Sequence, residues 1–266
     1  VTDITWKDEN MSPSDVMSSL SGFTALTRLE VRTLTEVSAL PTVLPASLLT
    51  LHWKHMGSLL DKHLLALPTQ MHQLIIEANS LSTLSEAGFA SACSRLKTLT
   101  SLRLSAPADQ VPSTFLQHLP RTLLDLKLSV SGQPVGEDEA RQIPAGLQQL
   151  HLAAYSASPT LLRGLPRSLT FLALIGSHSG DAELFHAIVA KGHFPQKLRT
   201  LILTWSWLND KDIPHLPRSL TDLRATSTHV TSQAVPHLPP SLTACSTADI
   251  WHAFQSYSQP DVSGVP

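Results

Sequence analysis

Apolar residues recur along this chain in one short phrase, L-x-x-L-x-L, in which the last two apolar positions alternate with polar ones. Residues two apart share one face of an extended strand, and the residues between them face the opposite way. Each phrase therefore predicts a turn followed by a short strand that is buried on one face. The first apolar residue of the phrase lies at positions 26, 48, 71, 99, 123, 147, 169, 198, 220 and 242.

Successive phrases lie 22 to 29 residues apart, with an average of 24. One such repeat cannot bury its own leucines, but stacked repeats form a continuous parallel sheet above a continuous core. Eight of the ten phrases have a proline three residues before the first apolar position. Proline has a fixed φ and no amide to donate, which suits the entry to a strand better than its interior.

The phrase and its period resemble the leucine-rich repeat family, whose consensus LxxLxLxxNxL is met by MHQLIIEANSL at 71–81, with Asn79 at the asparagine position. The resemblance covers roughly 23–250. It implies an α/β leucine-rich-repeat solenoid shaped like a horseshoe, with a parallel β-sheet on the concave face and short helices and extended segments on the convex face. The prolines are similar to those of bacterial effector repeats and some amoebal repeat proteins, but neither signature is complete, which leaves the subfamily open.

The chain departs from the consensus at the asparagine position, where four other repeats carry a hydroxyl residue. A hydroxyl satisfies fewer backbone groups than a carboxamide, so the turn there is predicted to be looser. These residues are Ser131, Ser177, Ser206 and Thr228.

The return segments between strands differ in length. The two longest repeats contain 82–96 and 179–194, both with apolar residues at helical spacing and acidic residues near the start, which predicts a helix in each. The 22-residue repeats have room only for a turn of helix or for extended chain. Unequal return lengths predict uneven curvature.

The pattern predicts one domain over 1–266. Residues 1–22 are expected to form an N-terminal cap with a helix at 12–20, which begins Ser-Pro-Ser-Asp. Residues 23–246 hold the repeats, 247–254 are expected to form a C-terminal cap helix, and 255–266 a mobile tail. Caps are needed because the terminal repeats of a solenoid would otherwise expose their core.

Composition narrows the class of partner. The 266 residues are 42% hydrophobic and 15% charged, and the formal net charge is −2. This balance provides no net positive field for a nucleic acid, so none is expected as a partner. No apolar run is long enough to span a membrane. Two cysteines with no metal or redox spacing favour a reducing, cytoplasmic location, although an extracellular receptor fragment stays open.

Candidate chemistry is sparse. No GxSxG, HExxH, P-loop, GxGxxG or CxxC motif occurs, so the sequence predicts neither an enzyme nor a cofactor. Cys245 occupies a position that is leucine in other repeats, and it and Cys93 are expected to be packed thiols. Histidines recur two residues before the proline, where a stack of imidazoles could bind a divalent ion, but no carboxylate or cysteine recurs with them and no metal site is predicted. They are His118, His193, His215 and His237.

Two regions of the predicted concave face stand out. The first is charged and includes Arg28, Arg32, His52 and Lys54, together with Glu30 and His55. Its alternative interpretation is an ordinary solvated surface. The second is apolar and consists of Phe171, Ala173, Ile175, Ile202 and Trp205, with Trp207 just beyond. An exposed apolar patch with tryptophan is typical of an interaction surface, but both tryptophans could instead fold inward.

The sequence thus predicts a non-enzymatic module that binds a protein or peptide on its concave face, as the family resemblance implies. Phe171, Ile175, Ile202 and Trp205 would anchor the ligand, while Arg224, Lys127 and the first charged region would orient it. The alternative is a structural subunit or adaptor arm of a larger complex or longer chain, which contacts its partners through the convex side or the caps.

Overall fold

The computed structural model describes residues 2–7, 22–33, 44–81, 83–111, 113–132, 135–153, 158–175, 182–204, 207–226 and 229–247. Within these described residues, eleven strands form one parallel sheet, and each strand pairs with its neighbours in sequence. This order confirms the predicted stacking of repeats. The strands are β1 (Asp3–Lys7), β2 (Arg28–Thr33), β3 (Thr50–Ser58), β4 (Gln73–Ser80), β5 (Ser101–Val111), β6 (Asp125–Gly132), β7 (Gln149–Ala153), β8 (Phe171–Ile175), β9 (Thr200–Thr204), β10 (Asp222–Thr226) and β11 (Ala244–Thr247).

The strand register aligns equivalent residues of every repeat. Leu29 pairs with Leu51, which pairs with Leu74, and the same column continues to Cys245 in β11. These side chains, the second apolar column of the strands and the first leucine of each phrase form one core beneath the sheet. Cys245 is 0% exposed, which confirms the prediction that its thiol replaces a core leucine.

The sheet begins one strand before the first predicted repeat. Strand β1 lies inside the segment 1–22 and pairs with β2, where Ile4 lies opposite Leu29. Its sequence DITWK keeps the two-residue alternation of a strand but lacks the leucine phrase. The ten phrases therefore predict β2 as the first strand. The predicted cap helices, at 12–20 and beyond Thr247, and the predicted tail 255–266 lie outside the described residues.

The return segments confirm the two predicted helices, which span Glu86–Arg95 and Ala182–Ala190. In the first, the N-cap hydroxyl of Ser85 accepts a hydrogen bond from the Gly88 amide at 2.9 Å. The other return segments are shorter, as the repeat lengths predict. They contain the α-helices Asp61–Leu65, Glu137–Gln142 and Leu161–Gly164 and the 3-10 helices Ser113–His118, Ile213–His215 and Ser232–His237.

A stack of hydroxyls, which the sequence analysis missed, links successive repeats. The residue before the first apolar position of the phrase is serine or threonine in six repeats. Its hydroxyl donates to the carbonyl of the first apolar residue of the preceding repeat, as Ser219 donates to Leu198 at 2.7 Å. The sequence contains a signal for this stack, because a serine or threonine recurs directly before the first apolar position of the phrase. The side chains at the consensus asparagine position lie outside the described residues. The six donors are Ser47, Thr98, Thr122, Ser168, Ser219 and Ser241.

Candidate ligand-binding face

The exposed side of the curled sheet, here called the concave face, carries three columns of side chains that the leucines do not determine. The strand register aligns the middle residues of successive strands in a central column. From β2 to β10 it runs Glu30, His52, Ile75, Arg103, Lys127, His151, Ala173, Ile202 and Arg224. Neighbouring members lie one strand spacing apart, about 4.8 Å.

The predicted charged region is present on β2 and β3 as a set of ion pairs. Arg32 contacts Glu30 at 2.9 Å, and His52 lies 3.9 Å from the same carboxylate. Arg28 is exposed at the start of β2. Since these charges largely neutralise one another at the surface, each pair contributes little to stability.

The ion pairs continue beyond the predicted region onto β4 and β5. The Glu77 carboxylate lies 3.6 Å from His52, 3.9 Å from Lys54 and 3.9 Å from Arg103. One carboxylate on β4 therefore contacts three basic groups, two from β3 and one from β5. Because Lys54 and Arg103 share the single carboxylate of Glu77, this part of the network carries more positive than negative charge.

Next to this network, a pocket of about 260 Å³ opens over β4–β8. It lies between the two predicted regions, and Lys127 and Phe171 are the predicted site residues that it brings together. Sequence reasoning did not single out its other polar members, which lie at the first and third positions of successive strands. The lining consists of Gln73, Ile75, Ser101, Arg103, Asp125, Lys127, Gln149, His151 and Phe171.

The pocket is positively charged around Lys127. Burial lowers the pKa of Lys127 from its ordinary value, and the adjacent Arg103 guanidinium lowers it further. Asp125 accepts a hydrogen bond from the Ser101 hydroxyl at 2.9 Å. Within the described residues, Lys127 takes part in none of the ion pairs of this face. A cation held in this way has unused capacity for an anionic ligand.

His151 forms the next part of the pocket and is uncharged at neutral pH. Burial lowers its pKa to about 4, and the positive charges of Lys127 and Arg103 contribute. A neutral imidazole has one donor and one acceptor nitrogen. His151 therefore adds hydrogen-bonding capacity to the pocket without adding charge.

The predicted apolar region is smaller than expected. Phe171, Ile175 and Ile202 lie half-buried on β8 and β9, whereas Ala173 between them is buried. Trp207 packs against the core, with its ring centroid 6.0 Å from that of Phe185, and so belongs to the interior. Trp205 lies outside the described residues.

Arg224 stands apart from the pocket on β10, four strands from Lys127. Its guanidinium contacts the Asp222 carboxylate at 2.9 Å, and this hydrogen-bonded pairing raises the pKa of Arg224. The charge of Arg224 is thus satisfied within its own strand. The structure does not bring it together with the other predicted ligand contacts.

The recurring histidines do not converge on a common centre. His118 lies 3.0 Å from Glu86, while His215 and His237 are exposed. In the part of the chain that the structure describes, no group of three metal-ligating side chains occurs, nor any helix long and apolar enough to cross a membrane.

Solved structures share this architecture at low sequence identity. An internalin from Listeria monocytogenes superposes with a TM-score of 0.54 and 16% identity, over 87% of this chain and 70% of the internalin chain. A complex of TLR13 with ssRNA13 gives a TM-score of 0.52 and 16% identity, over 92% of this chain and 43% of the TLR13 chain. No family model and no curated protein matches the sequence. The structural likeness shows the fold.

Proposed function

Because the chain has the leucine-rich repeat fold, shared with the internalin and with TLR13, we propose that it is a non-enzymatic binding module that holds a protein or peptide against its concave face. The observation that carries this proposal is the pocket over β4–β8. It combines an under-neutralised lysine, several hydrogen-bonding groups and the half-buried ring of Phe171. Binding sites typically pair an apolar surface with a few polar groups that fix orientation.

The apolar side chains beside the pocket would supply most of the affinity. Phe171, Ile175 and Ile202 lie on adjacent strands and lose their remaining exposed surface when a ligand covers them. Transfer of apolar area out of water contributes about 25 cal/mol per Å², part of which is offset by the entropy lost on association. Charged groups at the edge mainly set the rate of association and the orientation of the ligand.

Two other functions compete with this proposal. A nucleic-acid ligand is compatible with the fold, since the TLR13 structure contains ssRNA13, but the concave face here carries carboxylates among its cations, which favours a peptide. A structural subunit that contacts its partners through the convex side would leave the pocket unused. The chemical identity of the captured partner distinguishes the nucleic acid, and the position of the bound partner distinguishes the structural subunit.

The test combines capture with localisation. Partners retained by the native chain from its source lysate are compared with those retained by a Phe171→Asp, Ile202→Asp variant and by Leu65→Asp. Leu65 is an exposed leucine on the return helix Asp61–Leu65 and serves as the matched control. Hydrogen exchange of the purified complex then maps the contact.

A concave-face module should lose its partner in the double variant but not in Leu65→Asp. The partner should slow amide exchange within β4–β9. Protection confined to the return segments, with all three proteins retaining the partner, would support the structural subunit and refute the proposal.

A further inference from the structure

Building on the proposed function, we infer that the pocket over β4–β8 is a subsite for the carboxylate of an acidic residue in an extended peptide, and that an apolar residue of the same peptide packs on β8 and β9. The carboxylate lies between Arg103 and Lys127. The apolar side chain contacts Phe171 and Ile202.

Charge complementarity selects an anion for the pocket. Arg103 and Lys127 are neighbours in the central column, about 4.8 Å apart. The nearby carboxylates of Asp125 and Glu77 attract Lys127, but burial and Arg103 outweigh them and the pKa of Lys127 stays lowered. The Arg103 Nε is buried and has no hydrogen-bond partner among the described residues. A ligand carboxylate accepts hydrogen bonds from both cations and relieves their mutual repulsion.

The distance between the subsites sets the spacing in the ligand. Three strand steps separate Lys127 on β6 from Ile202 on β9, which corresponds to about 14 Å. A peptide that crosses the strands in extended form advances about 3.3 Å per residue. The acidic and apolar residues are therefore about four positions apart.

The surroundings favour a peptide over a nucleic acid. A phosphate backbone repeats its charge along its length and binds a continuous cationic track. Beyond Lys127 the central column instead continues through the neutral His151, the buried Ala173 and the apolar Ile202. One anionic group followed by an apolar group matches this order.

The experiment measures fluorescence anisotropy of labelled octapeptides added to the full chain. Each peptide carries one Glu and one Phe, separated by one to six positions, with Ser and Thr elsewhere. Matched peptides replace Glu by Gln. The protein variants are Lys127→Gln, Lys127→Arg, Phe171→Asp and Lys197→Gln, the last replacing an exposed lysine in the turn before β9.

The tightest binding is expected at a separation of four. Replacing the peptide Glu by Gln weakens it about tenfold, the usual effect of losing a hydrogen-bonded charge. Lys127→Gln causes the same loss for the Glu peptide and none for the Gln peptide, while Lys127→Arg restores affinity and Lys197→Gln changes nothing. Added NaCl weakens binding of the Glu peptide alone.

Equal affinity for the Glu and Gln peptides overturns the carboxylate subsite, as does failure of the whole panel to bind. A twelve-nucleotide single-stranded RNA that binds more tightly, with the same dependence on Lys127, overturns the peptide assignment. If peptide binding depends on Phe171 but not on Lys127, the carboxylate subsite is refuted and the proposed function remains intact.

Discussion

At the scale of single residues, the concave face is determined by positions where the repeat places no demand on side-chain identity. His151 and Lys127 occupy equivalent positions in adjacent strands; Arg103 lowers the pKa of both, and Lys127 also lowers the pKa of His151. Burial against a neighbouring cation destabilises the charged form of both. At neutral pH this destabilises the fold only at Lys127, which is charged, and a ligand anion would offset the effect.

The low pKa of His151 predicts that stability falls as the solution is acidified. The imidazole titrates near 4 when folded and near its ordinary value of 6.5 when unfolded. Between these pH values the unfolded chain binds the proton and the native chain does not, so the unfolding free energy decreases as pH falls from 6.5 to 4. Solvent screening at this half-buried site limits the contribution to about 1 kcal/mol.

Urea denaturation at pH 7 and pH 4.5 measures this effect. The loss of stability between these pH values should be about 1 kcal/mol smaller in His151→Gln than in the native chain. Equal losses in the two proteins would show that His151 is protonated in the folded state at pH 4.5.

The stack of hydroxyls between repeats predicts a stabilising substitution at Gly146. This glycine occupies the position that holds serine or threonine in six other repeats, and a Cβ there would contact nothing within 4 Å. A serine hydroxyl would reach the carbonyl of Leu123, by equivalence with the Ser219 and Leu198 pair. We expect a gain of about 1 kcal/mol from the hydrogen bond and the reduced freedom of the unfolded backbone.

Thermal and denaturant unfolding of Gly146→Ser and Gly146→Ala separate the two contributions. The alanine variant measures only the effect of reduced backbone freedom in the unfolded chain. The serine variant adds the hydrogen bond, so it should be the more stable of the two. A serine variant no more stable than alanine would mean that its hydroxyl stays with solvent.

At the scale of elements, neighbouring return segments are joined by hydrogen bonds. A carboxylate of one repeat accepts hydrogen bonds from the N-cap residue of the helix in the next repeat. Asp61 accepts both the amide and the hydroxyl of Ser85, at 2.8 and 2.5 Å. Asp210 accepts the same two groups of Thr231, both at 2.6 Å. Ser85 and Thr231 are the N-caps of their helices, so each cap is held by the preceding repeat.

The first of these contacts requires glycine at position 88. A Cβ added to Gly88 would lie 2.1 Å from the Asp61 carboxyl carbon. Gly88→Ala must displace the Asp61 side chain and break its hydrogen bonds to Ser85, at an expected cost of about 2 kcal/mol. Chemical denaturation measures this loss.

A double-mutant cycle provides the control. In an Asp61→Ala background the same Gly88→Ala change should be neutral or stabilising, because alanine is the better helix former. An equal loss in both backgrounds would place the strain elsewhere.

At the scale of the whole molecule, each strand pairs only with the strands before and after it, so stability is distributed along the sheet. The core is correspondingly continuous, from Leu26 to Cys245. The charged groups and the half-buried apolar groups of the concave face lie at successive positions along this axis. A ligand that crosses several strands therefore meets them in a fixed order.

This architecture predicts that one repeat can be removed without loss of the fold. Deleting 221–242 joins Leu220 to Thr243, and Leu220 and Leu242 are equivalent in the phrase. The remaining strands can pair as before, because β11 replaces β10 beside β9. We expect a lower melting temperature and a denaturant m value reduced by roughly a tenth, in proportion to the surface lost.

Circular dichroism and urea titration test the deletion. Retained β-sheet signal with one cooperative transition is the expected outcome. An unfolded or aggregated product would show that β10 and the return segment 229–238 make contacts that the repeat frame cannot replace.

Several features could be read from spacing alone. The leucine phrase identifies ten of the eleven strands, their parallel order and the burial of Cys245, because every repeat must contribute the same apolar positions to one core. The lengths of the return segments separate the two longer helices from the short ones. Strand β1 escapes this argument because Ile4 lies in an alternation with no leucine phrase around it.

The candidate site depends on contacts that spacing does not contain. The sequence placed Lys127 and Phe171 on the same face, but their pocket also needs Asp125, Ser101 and His151, which come from separate repeats at two different positions of the phrase. Trp207 is likewise a residue type that is common in interaction surfaces, yet it packs inward against Phe185.

The periodicity of the sequence thus determines the fold, since each repeat must supply the same buried positions to one continuous core. The character of the concave face is decided by packing in three dimensions. Burial and the positive charges of neighbouring strands lower the pKa of both His151 and Lys127. Desolvation and Coulomb interaction depend on distance in space, which a single repeat of about 24 residues does not encode.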